Sequence, residues 1–447
     1  MTEPENDTSR GAGESAAAPT PLAPGLRARL AGSGWLQVAE TSGARIYLVL
    51  VMLVSTSITA RYLGPEGRGV LVAAQGWVGT FASIGYLSMA QPLFHRVSGR
   101  PAREWLPDAL GALLVIVGMV TLLGWAVAAA GFWTTGGELY RRIPAGVLVA
   151  AFAALPFMLW GENGNSILLA MGKLRVLNLA QVVAGTASLV AVFLTLGVFR
   201  AGIGAALLAV AVNPLLLAVV GIVFMFREVS GVTAKWSVGK RLMADGARLH
   251  LNAIGSVLSG NATILILNHY RTPAETAYLQ LAGQMLTGLS IIPAAVSSVA
   301  YTRIAREGAN GAWPGHKRLL GQTLALMSVL CVVAYFLAPL AVRHIAGPEF
   351  LPTVPLFRLL LPTVILSTVA VGTVSQWVAR GLFSWLAIYG VIIGVITAAA
   401  MYLLVPRYGM YGAVWVSLGT SALALVLNLV VVLWIDRQWR ESVTHDG

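Results

Sequence analysis

Residues 59–69 read TARYLGPEGRG, and long apolar runs flank them: IYLVLVMLVSTSI (46–58) before and VLVAAQGWVGTFASIGYL (70–87) after. One short stretch thus holds two arginines, a glutamate, a proline and three glycines. Glycine and proline punctuate a chain, and charges seek water. The stretch therefore predicts a tight turn joining two apolar spans. The same alternation of roughly twenty apolar residues with charged or Gly/Pro punctuation recurs along the 447 residues. Of these 57% are hydrophobic and 11% charged, with mean hydropathy +0.77. A soluble chain would carry about 25% charged residues. The composition predicts an all-α polytopic membrane protein.

About twelve spans follow by the window rule, at roughly 38–60, 69–93, 109–132, 143–170, 175–199, 202–226, 246–269, 276–300, 318–342, 351–378, 384–405 and 411–435. Residues 1–36, rich in Ala, Gly, Pro, Ser and Thr, read as a disordered cytoplasmic tail without the apolar centre of a signal peptide. The expected division is an N-lobe at 37–227, a cytoplasmic linker at 228–245, a C-lobe at 246–436 and a cytoplasmic tail at 437–447. With an even number of spans and both termini inside, cytoplasmic segments hold 20 of the 30 Lys and Arg residues; external turns hold eight, Arg61 and Arg68 among them. All four lysines fall inside. That asymmetry places both termini in the cytoplasm.

The net charge of +12 does not argue for nucleic acid, because the basic residues are scattered singly through short turns. Anionic membrane lipids are the simpler partner. The single cysteine, Cys331, reads as a small core residue. The sequons at Asn6 and Asn261 fall in the tail and inside a span, and read as chance matches. There is no nucleotide-binding P-loop motif and no metal-binding HExxH, so neither a cofactor nor a metal is expected.

The chain also repeats itself. FRAGIGAALLAVA (199–211) aligns with RYGMYGAVWVSLG (407–419) at an offset of 208, and LLAMGKLRVL (168–177) with WVARGLFSWL (377–386) at 209. The opening stretch has its own echo at 209, pairing Glu66 with Glu275, Ala73 with Ala282 and Gln75 with Gln284. An offset of six spans gives two copies of parallel topology with a path between them, an architecture of transporters.

ARYLGPEGRG (60–69), GKLRVLNLAQ (172–181) and RYGMYGAVWVSL (407–418) together resemble the polysaccharide transporter family. These are Wzx-type oligosaccharide flippases of the multidrug/oligosaccharidyl-lipid/polysaccharide exporter superfamily. The resemblance covers about residues 38–435 and departs at Arg68, where the family often has an aromatic residue. It implies two pseudo-symmetric six-helix lobes around a central cavity in a bacterial plasma membrane. It further implies flipping of an isoprenoid-diphosphate-linked oligosaccharide to the outer leaflet, for a cell-surface polysaccharide such as O-antigen or exopolysaccharide. A polysaccharide polymerase and glycosyltransferases are the implied protein partners, and H+ or Na+ the candidate coupling ion. The alternatives are a lipid-linked peptidoglycan precursor flippase or a drug/cation antiporter of the same superfamily. An enzyme is not expected, because the external turns are too short to hold a catalytic domain.

A diphosphate and a sugar head cannot cross about 30 Å of hydrocarbon unaided. Ionisable and amide residues inside spans are therefore the candidate sites. Arg45, about a turn into the first span, and Arg358, in VPLFRLLLPTVIL, could clamp phosphate, or could snorkel to headgroups. Arg248, in RLHLN (248–252), is a further candidate for the cytoplasmic mouth, with the same alternative. Glu162, Asn163 and Asn165 lie in mid-span; Glu162 could couple an ion or bind sugar, and the trio could equally be interhelix packing. Gln75 and Gln284, equivalent in the repeat, could line the cavity or bridge helices.

Overall fold

The computed structural model describes residues 34–89, 101–229 and 231–445, and its compact unit runs from Ala44. The expected N-terminal tail and the sequon at Asn6 lie almost wholly outside the described residues. In chain order the helices are α1 Gly34–Gly85, α2 Ala102–Thr134, α3 Ala145–Phe152, α4 Leu155–Ala170, α5 Leu174–Phe193 and α6 Ile203–Glu228. They continue with α7 Trp236–Tyr270, α8 Pro273–Gly311, α9 Trp313–Ile345, α10 Thr353–Ala379 and α11 Phe383–His445. No strand occurs among the described residues.

Nine helical stretches among the described residues are long and apolar enough to cross a bilayer. Two of them are double, because α1 is kinked at Gly64 (φ 64°) and α11 at Gly409 (φ 58°). Counted so, the nine give eleven crossings; α7 stands at the place of the expected seventh span, with Leu242 in one core and Leu267 in the other, but is not one of those nine stretches. Large apolar side chains stand fully outward, among them Trp133 (80%), Phe336 (70%) and Leu433 (69%). An exposed apolar belt of that size needs lipid around it.

The interior divides into two hydrophobic cores. One gathers Leu71 to Leu242 from α1 through the start of α7. The other gathers Ala60 with Leu267 to Val416, from α7 through α11. These are the cores of two lobes. The segment expected to be a linker already belongs to α7 from Trp236, and its Leu242 packs into the first core. It is tied there by Thr233 N–H donating to Pro107 O (3.2 Å) and by Lys235 to Asp108 (2.9 Å). The expected tail at 437–447 continues α11 as helix to His445.

Small residues let helices from the two halves touch. Gly69, Ala73 and Gly76 form one stripe of α1 at helical spacing. A methyl group at Gly69 would stand 1.8 Å from Pro273 O, and one at Gly76 would stand 3.3 Å from Leu265. At the corner of the second half, Glu275 accepts the N–H of Met410 (2.9 Å) beside the Gly409 kink. In the first half, Gly67 lies close to Ile203, so the equivalent corner of the repeat is built alike.

Candidate functional site

Glu66 and Pro65 do not open a loop. Past the single bent residue Gly64, helical backbone resumes at Pro65, because a proline fits the first turn of a helix and needs no N–H partner there. Arg68 is therefore the fourth residue of a helix and not part of an external turn. It is 2% exposed. Its Nη1 donates to Thr56 O (2.9 Å) and Thr59 Oγ1 (2.7 Å), and its Nη2 to the side-chain oxygens of Gln280 (2.8 Å) and Gln284 (2.9 Å). Thr56 Oγ1 also donates to Gln284 (2.9 Å). Among the described residues no carboxylate pairs with Arg68, and its Nε has no partner. Arg61, by contrast, is exposed and donates to the carbonyls of His344 and Ile345.

Further along the same face of α1 lies a cavity of about 820 Å3. α1 contributes Gln75, Gly79 and Ser83, spaced four residues apart as one helical face demands, and Tyr86 follows just past its end. α4 adds Gly161, Glu162 and Asn165; α6 adds Val210, Asn213 and Pro214; α7 adds Asn261. Pro214 cannot donate to the carbonyl of Val210, four residues back. That carbonyl and its neighbour Ala209 O instead accept from Ser188 Oγ (3.3 and 3.1 Å). The wall is thus apolar, with four amides, three hydroxyls including Ser88, and one carboxylate. Neither Lys nor Arg is among its described lining residues. Asn261 alone of these comes from beyond Leu217. A methyl group at Gly161 would meet nothing within 4 Å.

Both ends of this face are bridged to the second half. Beyond Gln75 stands the Arg68 cluster. Beyond Tyr86, Ser88 Oγ lies 3.2 Å from His250 Nδ1, and the rings of Tyr86 and His250 meet edge to face at 5.5 Å.

Of the residues expected from sequence, Gln75 and Glu162 line the cavity together with Asn165. No ion pair holds Glu162 among the described residues. Asn163, one residue on, is rotated about 100° into the bundle. It is 1% exposed, with Nδ2 on Leu159 O (2.9 Å) and Oδ1 unpartnered. Gln284 does not line the cavity and instead holds Arg68. Arg358 lies over the ring of Tyr335 (4.4 Å) and donates to Tyr335 O (3.0 Å); Tyr335 itself is on the lipid-exposed surface. Arg45 is exposed on α1 and outside the cavity lining. Arg248 is on α7, but its side chain lies outside the described residues. Sequence reasoning passed over Arg68 as a turn residue, and Asn261 as a chance sequon. It did not single out Asn213, whose position just before a mid-span proline was the available signal.

No family model matches the chain, and no curated protein does. Solved structures do. The chain is similar to the lipid II flippase MurJ in an inward closed conformation, with TM-score 0.69 and 15% identity over 88% of this chain and 87% of that one. An inward-facing multidrug resistance MATE family transporter of the MOP superfamily gives TM-score 0.60 and 14% identity, covering 89% and 95%. A MOP superfamily transporter from Pyrococcus furiosus Vc1, described as having a binding pocket of reverse polarity, gives TM-score 0.54 and 15% identity, covering 90% and 96%. At such identities the likeness shows the fold. That fold is the two-lobe, membrane-spanning one of MOP superfamily transporters.

Proposed function

We propose that this chain flips an isoprenoid-diphosphate-linked oligosaccharide from the inner to the outer leaflet of a bacterial plasma membrane by alternating access of its two lobes. The observation that carries the reading is the cavity of about 820 Å3, walled by amides, hydroxyls and one carboxylate. Sugar hydroxyls both donate and accept, and Gln75, Asn165, Asn213 and Asn261 offer both functions around one space. The isoprenoid tail stays in lipid, where burial costs nothing. Glu162 is the charged group of the wall, and in this reading it takes up H+ or Na+ or holds a sugar hydroxyl. Outward transfer of a diphosphate is further favoured by a negative-inside potential, worth about 2.3 kcal/mol per charge per 100 mV.

The lobes are proposed to run from 37 to 227 and from 246 to 436, with both termini cytoplasmic, on the bias of Lys and Arg. The proposed company is a polysaccharide polymerase and glycosyltransferases.

One observation favours a second reading. A wall with a carboxylate and, among the described residues, no Lys or Arg suits a cationic cargo, which a drug/cation antiporter would carry. A lipid-linked peptidoglycan precursor is a third cargo of the same diphosphate chemistry.

The test uses inside-out vesicles loaded with a diphosphate-linked glycolipid, whose protection from an added glycosidase reports flipping. Glu162→Gln and Asn165→Ala are expected to slow protection at least tenfold. Wild-type vesicles that protect no glycolipid but accumulate a cationic dye in their lumen would replace this reading with the antiporter. In the same assay, Arg45→Ala, Arg248→Ala and Arg358→Ala separate phosphate anchors, which slow flipping, from arginines that only touch headgroups, which do not.

A further inference from the structure

The cavity wall has no described Lys or Arg to meet a diphosphate, yet a buried guanidinium stands at its end. Arg68 precedes Gln75 by seven residues, two helical turns and about 10 Å along α1, so both lie on one stripe. Gln75 marks the end of the cavity, and Arg68 lies beyond it where α1 meets α8.

The partners of Arg68 are unusual in kind. A buried cation is ordinarily matched by a carboxylate. Here the acceptors are a backbone carbonyl, a hydroxyl and two glutamine amides, all neutral. Gln284 Oε1 is shared with Thr56, and the Nε of Arg68 has no acceptor at all. The present bonds join a cation to neutral acceptors; a phosphate adds a charged acceptor, and two of its oxygens can meet the guanidinium in parallel. An anion reaching Arg68 would therefore displace the amides.

Half of this cage belongs to α1 and half to α8. Separating the two helices removes Gln280 and Gln284 and leaves Arg68 at an open mouth, still holding Thr56 O and Thr59. We infer that Arg68 is a phosphate site disclosed by opening: closed, it latches α1 to α8 through Gln280 and Gln284; open, its Nη2 and Nε edge binds a diphosphate. This rests on the proposed diphosphate-linked cargo for its biological ligand, but the site itself is tested without that cargo. An anion that binds the open form alone shifts the population toward it in proportion to its concentration over its dissociation constant.

The experiment reads the distance between spin labels at Tyr62→Cys and Leu351→Cys, both exposed, in a Cys331→Ser background. The purified full chain is titrated with inorganic pyrophosphate, against sodium chloride of equal ionic strength. Pyrophosphate is expected to raise the long-distance population at least threefold, and chloride to leave it unchanged. Arg68→Gln is expected to rest more open and to ignore pyrophosphate. Arg68→Lys keeps the charge but loses the planar fork, and should respond with at least a threefold higher midpoint. Should Arg68→Gln fold poorly, Gln280→Leu keeps the arginine and removes a competing acceptor, so its midpoint should fall. A wild-type distance indifferent to pyrophosphate overturns the inference, as does an equal response in Arg68→Gln. A pyrophosphate response without glycolipid flipping in vesicles would sink the proposed function and leave this site standing.

Discussion

The two corners of the repeat share a plan and part at Arg68. At an offset of 209, Glu66 pairs with Glu275, Gln75 with Gln284, and Arg68 with Ala277. Ala277 is 0% exposed and simply fills the second core, while Arg68 is 2% exposed and binds across to the other half. The glutamines diverge accordingly: Gln75 faces the cavity, and Gln284 is drawn away to hold the arginine. Gly69 likewise corresponds to Tyr278, whose ring packs edge to face on Phe350 (5.8 Å). Duplication supplies the frame. Arg68, which has Ala277 in its place in the other copy, then joins Arg61 in tying the first corner to the other half, while Ala277 fills the second core.

The first corner should break hardest. Gly69→Ala puts a methyl group 1.8 Å from Pro273 O, where no flexible side chain can yield, and is expected to cost the closed arrangement about 3 kcal/mol. The thermal midpoint and the Tyr62–Leu351 label distance would both report it; an unchanged pair would refute the close approach. Gly409→Ala in the second corner forces φ 58° on a residue with a side chain, against Glu275 Oε2 at 2.5 Å. Its expected cost is about 2 kcal/mol, read as a lower midpoint without any change in the label distance.

The glutamine pair sharpens the contrast. Gln284→Ala should loosen the closed form by about 1.5 kcal/mol, because two donors lose an acceptor. Gln75→Ala should change stability by less than about 0.5 kcal/mol and instead slow glycolipid protection in vesicles. Equal effects of the two on stability would dissolve the distinction. The smallest effect is expected from Glu275→Gln. Its amide oxygen still accepts Met410 N–H, and the half-exposed contact to Arg271 at 3.6 Å contributes little, so the shift should stay within about 0.5 kcal/mol in a denaturant or thermal titration.

The membrane class, the crossings and the repeat could be read from sequence because each leaves a long periodic trace. Twenty apolar residues and an offset of six spans survive errors of a few positions. The site residues depend on angles that no such trace carries. Glu162 and Asn163 are neighbours in sequence, yet one helical step puts the first in the cavity and the second among packed helices. Arg68 reads as a turn because glycine and proline surround it, and only the helical backbone from Pro65 onward shows it to be inside. A trace of its cage was nonetheless present: Gln280 and Gln284 stand four residues apart on one face of α8, an amide pair in an apolar helix. Arg358 shows the converse. Its placement within an apolar run suggested depth, and its guanidinium lies 4.4 Å over the ring of the exposed Tyr335.

Gly161 has a use of another kind. Its missing side chain opens onto empty space in the cavity wall, on a helix whose backbone accepts alanine without strain. Graded replacement by Ala, Val and Leu would fill that space a methyl group at a time. Cargoes of rising size should drop out in order along the series, so the wall can serve as calipers for a head group whose identity no motif spells out.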